Sequence, residues 1–190
     1  MSHELNEDEQ NFLLKLARRT MESYLKDGKM PEVDESELSE NLKRVQGGFV
    51  TLNKHGELRG CIGHITPHEP LYMCVAENTI NAAVYDNRFP PVSYEEIEDI
   101  KIEISVLSVP EKLEHSSPED LLKKLVPLKD GVVLKSGWKQ STFLPQVWEQ
   151  LPDKTEFLEQ LCLKQGSSKN CWKDTNTVVE IYHAQIFGEN

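Results

Sequence analysis

A thiol and a guanidinium stand two residues apart in Leu58-Arg59-Gly60-Cys61-Ile62-Gly63, a segment otherwise made of glycines and core-type residues. A permanent cation beside a sulfur favours thiolate over thiol, so Cys61 and Arg59 form the candidate catalytic pair, a nucleophile and the group that activates it. On a strand, alternate side chains share a face. That predicts Leu58, Gly60 and Ile62 buried together, with Arg59, Cys61 and Gly63 on the opposite side. Backbone amides beside Gly60 and Gly63 would supply donors for developing negative charge. The base is not fixed by the sequence, His55 and His64 being near in the chain. The competing reading makes Cys61 a packed thiol, because free cysteine is among the most often buried residue types.

Other chemistries are less well supported by spacing. Cys61, His64, His68 and Cys74 fall within fourteen residues. Structural zinc sites pair short spacings such as Cys-x2-Cys with His-x3-His, and only the histidine half is present. No metal site is therefore expected. Gly60-Cys61-Ile62-Gly63 has the form of a phosphate-clamping glycine-x-x-glycine loop, but its middle residues are not basic and lie on a strand. GxxxxGK[ST], GxGxxG and GxSxG patterns are absent, and no carboxylate pair suggests glycoside chemistry.

The elements that must position this segment are legible from caps and periodicity. Asn6 and Glu9 form a capping box, and Leu13, Leu16, Ala17, Thr20, Tyr24 and Leu25 repeat at helical spacing until Gly28. Residues 30–41 hold five acids and a proline and read as a loop. Phe49–Asn53 and Leu58–His64 predict a hairpin around Lys54-His55-Gly56, with Gly60 admitting a close helix. Pro70 opens a helix whose Leu71, Cys74, Val75, Asn78, Ala82 and Tyr85 share a face. The amide of Asn78 on that face needs partners, and either braces the hairpin or reaches a cleft. Ser93 with Glu96 caps a short helix before the strand Lys101–Val109, and Ser117 with Asp120 caps another. A strand from Gly131, a helix over 153–164 and a final strand Thr177–Phe187 complete the chain. This mixed order lacks the βαβ rhythm of a parallel sheet and predicts an α+β fold with mostly antiparallel sheets and flanking helices.

Several segments together resemble one family. Phe49-Val50-Thr51-Leu52, the Arg59-Gly60-Cys61-Ile62-Gly63 strand, Asp86-Asn87-Arg88-Phe89-Pro90-Pro91-Val92, Gly131-Val132-Val133-Leu134, Thr142-Phe143-Leu144-Pro145-Gln146-Val147 and Glu156–Cys162 occur in the order of the AMMECR family, over about residues 10 to 189. The resemblance implies a single domain over 5–190 after a tail at 1–4, built as two interleaved lobes that form a cleft. Gly60, Gly63, Asp86 and Arg88 would line that cleft, as would the polar Lys135, Thr142 and Gln146 and, on its second reading, Asn78. Asp86 and Arg88 read equally well as a local ion pair fixing a turn. Family relatives are associated with MEMO-type dioxygenase-like proteins and radical SAM enzymes, with a suggested role in RNA modification. The resemblance thus implies an enzyme or accessory factor in a modification pathway, acting on RNA or a small molecule. The alternative is a non-enzymatic protein-interaction or ligand-binding module. No cofactor is indicated.

Composition bounds these readings. The chain has 190 residues, 38% hydrophobic and 28% charged, and no apolar run approaches the roughly 18 to 20 residues of a membrane span. An acidic, polar start argues against a secretory leader, so a cytoplasmic location with reduced thiols is expected. The net charge of −11 disfavours generic nucleic-acid binding, since neutralising phosphates takes lysine and arginine. The stretch Lys123 to Lys139, with five lysines against Asp130, is the local exception and reads otherwise as a solvated rim.

Overall fold

The computed structural model describes residues 4–189, so of the expected tail only Glu4 is described. The chain forms two compact units, one of residues 4–109 with 185–189 and the other Pro110–Ala184. Each has an antiparallel sheet and its own core, and the fold is α+β. Among the described residues no helix is long and apolar enough to cross a membrane.

In the first unit, α1 (Glu7–Asp27) begins at the reciprocal Asn6–Glu9 capping box and ends on Gly28 in the left-handed region, as the residue types dictate. Residues 30–41 are not wholly loop. A 3₁₀ turn at Glu35–Glu37 and the start of α2 (Glu40–Lys43) interrupt it, each capped by a preceding Asp34 or Ser39 side chain. Strands β1 (Gly48–Lys54) and β2 (Glu57–His64) form the expected hairpin, and β3 (Ile100–Leu107) pairs on the other side of β1. Helix α3 (Leu71–Ile80) packs over this sheet and widens into a π-helical turn at Asn81–Tyr85. A π turn inserts an extra residue into the helical repeat and rotates the residues beyond it. Ala82 stays buried but Tyr85, expected on the apolar face, is exposed and meets the Tyr24 hydroxyl at 3.1 Å.

The predicted alternation along β2 holds from Gly60 onward and fails before it. Val50 pairs with Ile62, Thr51 with Cys61 and Leu52 with Gly60, but Asn53 pairs with Leu58. Arg59 is thus the extra residue of a β-bulge, which flips the parity of everything preceding it. Leu58, expected in the core, lies on the outer face and is 43% exposed. Ile62 packs against the core as expected.

In the second unit, β4 (Glu111–Lys112), α4 (Pro118–Lys124), β5 (Gly131–Ser136), β6 (Lys139–Phe143), α5 (Lys154–Lys164) and β7 (Thr177–Tyr182) surround a core in which Trp148 stacks on Phe157 at 3.6 Å. The sheet order is β4-β7-β5-β6. The final strand proves to be two. The chain leaves the second sheet at His183 and continues as β8 (Ala184–Gly188) beside β3 in the first. The expectation of reduced thiols fails for one pair, since Cys162 and Cys171 are joined in a disulfide with Cα atoms 5.9 Å apart. α5 and the loop after it bring both cysteines into one core, a proximity that sequence spacing alone does not show.

Gly60 is buried because the π turn lies directly on it, and a Cβ there would overlap the Ala82 carbonyl. Gly60→Ala should cost about 1 to 3 kcal/mol through forced backbone displacement. Urea unfolding should show a lower midpoint with an unchanged slope; an unaltered midpoint would mean that strand and π turn do not need this close approach.

Candidate functional site

Cys61 sits on the β2 face opposite the core, across from Thr51, and is half-buried. Its sulfur accepts a hydrogen bond from the Thr51 hydroxyl at 3.2 Å. Its backbone is held by the turn that follows the π helix. The Cys61 amide donates to Asp86 Oδ2 at 2.9 Å, and the Cys61 carbonyl accepts from Arg88 Nη2 at 3.0 Å. Arg88 closes the loop by donating Nε to Asp86 Oδ1 at 2.9 Å and Nη2 to Oδ2 at 2.7 Å, with its own amide on Oδ1. The Asp86 carboxylate is almost fully buried, at 3% side-chain exposure, and it stays ionised because these donors surround it. The Arg88 guanidinium above all, helped by the Cys61 and Arg88 amides, holds its carboxyl well below the usual carboxylate range despite burial. Asp86 in turn raises the Arg88 pKa, and the Cys61 side chain adds to that effect.

The cation beside the Cys61 sulfur is therefore Arg88. Arg59, placed there by strict alternation, turns away at the bulge. It forms a two-pronged ion pair with Glu96, Nε to Oε1 at 3.2 Å and Nη2 to Oε2 at 3.0 Å. It also donates Nη1 to the Pro90 carbonyl and Nη2 to the Pro91 carbonyl. Those two carbonyls are available because consecutive prolines keep the segment extended and out of any helix. Glu96 also caps its own 3₁₀ helix by accepting from the Ser93 amide, and it accepts from Lys54 Nζ at 3.0 Å.

The other candidates are held within their own units. Gly60 and Gly63 flank Cys61, and both are pressed against backbone, Gly63 against Gly48 and Phe49. Asn78 is buried beneath the hairpin, its amide 3.4 Å from both Cys74 Sγ and His64 Nδ1. Burial, with Glu69 next, pushes the Cys74 thiol up to about 12. His55 is exposed near Asp99, and His64 faces α3. Lys135, Thr142 and Gln146 belong to the second unit. There Lys135 pairs with Glu180 at 2.6 Å, and the Thr142 hydroxyl lies between the Val132 carbonyl and the Tyr182 hydroxyl. Gln146 follows Pro145 in a 3₁₀ helix with a buried Oε1 that finds no partner among the described residues. Within the lysine-rich stretch, Lys124 and Lys135 form ion pairs and Lys139 donates to the Gly166 carbonyl. Sequence reasoning missed Glu96 and Thr51, although the Ser93 capping box singled out Glu96 for another reason.

A cysteine strand stitched to an aspartate-x-arginine turn, on an antiparallel sheet covered by a helix that ends in a π turn, defines a distinct class of α+β protein. The AMMECR1 family model matches residues 14–187, and the chain belongs to that family. It is 41% identical to a protein of Methanothermobacter thermautotrophicus over 187 residues, covering 98% of this chain and 97% of that one. The crystal structure of uncharacterized protein PH0010 from Pyrococcus horikoshii is similar, with a TM-score of 0.85 at 40% identity over 94% of this chain and 90% of that one.

Arg59 first, then the Ser93 amide and Lys54, hold Glu96 at a pKa of about 2, against an ordinary 4.5. A depressed carboxylate stabilises the fold fully above its ordinary value, and that stabilisation is lost as pH falls toward the folded value. Glu96→Gln should therefore lower stability at neutral pH by about 2 kcal/mol. It should also flatten the fall of melting temperature between pH 4.5 and about 2. Parallel acid profiles for the variant and the parent would remove Glu96 as an anchor of this turn.

Proposed function

We propose that this chain acts as a binding module, an accessory factor that presents Cys61 and Arg88 to an anionic group, rather than as a thiol-dependent enzyme. The supporting observation is that the charges around Cys61 are engaged by the fold. Arg59 is taken up by Glu96 and two carbonyls, Asp86 by the Cys61 amide and Arg88. Among the described residues no imidazole or carboxylate accepts a hydrogen bond from the Cys61 thiol, which leaves the thiolate reading to rest on Arg88 alone. What remains outward is Arg88, 56% exposed, whose Nη1 makes no hydrogen bond among the described residues. A guanidinium oriented on one edge by a buried carboxylate is preorganised to receive a carboxylate or phosphate on the other. In the family setting the partners would be the MEMO-type and radical SAM proteins that the resemblance implies, with the bound group carried by their substrate.

The reactive-thiol reading retains one supporting feature, the Arg88 guanidinium near the sulfur. Two measurements on the labelled chain distinguish them. Inorganic phosphate should shift the amide resonances of residues 61 and 86–88, and Arg88→Gln should abolish those shifts. If phosphate moves nothing there, while iodoacetamide alkylates Cys61 about as fast near pH 6 as near pH 8.5, the thiol is an activated nucleophile and the binding reading fails.

A further inference from the structure

At the end of β2 the chain turns sharply into α3, and the turn returns His68 and Glu69 to the side of His64. The turn is pinned at its far end, where Pro70 bridges to Val45 and the Leu71 amide donates to the Arg44 carbonyl. One ligand atom from each of His64, His68 and Glu69 lies within 4.8 Å of the others. Glu69 Oε1 is 3.6 Å from His64 Nε2 and 3.5 Å from His68 Nε2, and the two imidazole centroids are 3.9 Å apart. We propose that these three residues form a binding site for a divalent transition-metal ion of the zinc type, held by both Nε2 atoms and the Glu69 carboxylate.

The geometry of the three side chains carries the assignment. His68 Nδ1 lies 3.2 Å from the Thr66 carbonyl oxygen, which can only accept, and an Nδ1–H donated there leaves Nε2, on the Glu69 side, as the ring atom that can ligate an ion. A proton on Nε2 would draw the pair to the roughly 2.7 to 2.9 Å of a charge-assisted N–H···O bond. At 3.5 and 3.6 Å the trio stands at ion-pair separation without such a bond. Ligands bound at about 2.0 to 2.1 Å in a tetrahedron are separated by about 3.3 to 3.4 Å, which the two separations from Glu69 Oε1, 3.6 and 3.5 Å, approach. An Nδ1–H donated to a backbone carbonyl is also the usual outer support of a metal-bound histidine.

The surroundings fit a cation. Glu77, on the first turns of α3, stands against Glu69, so two carboxylates share this corner. The Asn78 amide faces His64 Nδ1 at 3.4 Å, and a half-turn of that amide would let its oxygen accept Nδ1–H once Nε2 binds the ion. Glu69 and His64 are largely buried while His68 is 60% exposed, which leaves an open path and a coordination position for water or a ligand. The sequence pattern of Cys61, His64, His68 and Cys74 does not assemble as one set. Cys61 lies on the other face of β2, and Cys74 Sγ, 3.5 Å from His64 Nε2, stands beside the three ligand atoms without joining their set.

Cobalt(II) added to the full chain should bind in one-to-one ratio with visible d–d absorption, lack a sulfur-to-cobalt charge-transfer band, and be displaced by zinc. His68→Ala and Glu69→Gln should each weaken zinc binding by at least about tenfold. His68 is exposed, so its variant should unfold at the parent's metal-free temperature while losing the stabilisation that zinc gives the parent. The assignment is overturned by no saturable binding at submillimolar cobalt, by an intense thiolate charge-transfer band, or by full affinity in the His68→Ala, Glu69→Gln double variant.

Discussion

A buried carboxylate organises the first unit. Asp86 comes at the end of the π turn, where the chain has left the helix and no longer satisfies its own backbone, and it accepts from two amides and a guanidinium at once. An ionised group out of water is tolerable only when such donors replace its hydration. That requirement fixes the strand to the turn. The Cys61 amide must stay on the outer edge of β2 to reach Asp86, and the π turn must come down onto Gly60, where a side chain would block it. The glycine and the aspartate are thus two halves of one constraint.

The same turn continues into Pro90 and Pro91, whose carbonyls receive Arg59, and into the capped 3₁₀ helix that contributes Glu96. The bulge is what makes this possible. By inserting Arg59 as an unpaired residue it takes the side chain out of the register of Cys61 and aims it at the following segment. The geometry exchanges an activating cation for a clamp. Because Arg88 enters from the opposite side with one edge already committed, the positive charge that stays near Cys61 is presented to solvent rather than buried against the thiol.

Local chemistry was legible in the sequence and distant pairing was not. The Asn6 and Ser93 capping boxes, the Gly28 stop, the hairpin and the antiparallel α+β class follow from residues acting over three or four positions, and the order of motifs pointed to the family. Strict period-two alternation misplaced Leu58 and Arg59, because a bulge has no composition of its own when the inserted residue is not glycine. Helical periodicity misplaced Tyr85 for the same kind of reason, a local change in repeat. The Arg59–Glu96 pair spans 37 residues and the Cys162–Cys171 disulfide joins α5 to a short 3₁₀ helix at Cys171–Lys173; neither leaves a periodic trace. Lys135 and Thr142 carried motif-like polarity that the second unit uses for its own sheet.

Strand β2 carries two polar clusters that its pleat keeps apart. Odd positions from Cys61 face Thr51 and the Asp86–Arg88 turn, while even positions pass from Gly60 through Ile62 to His64 and face α3. Burial differs accordingly. The even side is dry enough that His64 is driven toward its neutral form, desolvation first and His68 second, whereas the odd side opens to water through Arg88. A substitution at one face can reach the other only by moving the strand itself, and the strand is held on both sides, by β1 along its length and by Asp86 at Cys61. The rigidity that Asp86 imposes for the sake of its own charge therefore lets a single short strand present two separate polar clusters without coupling them.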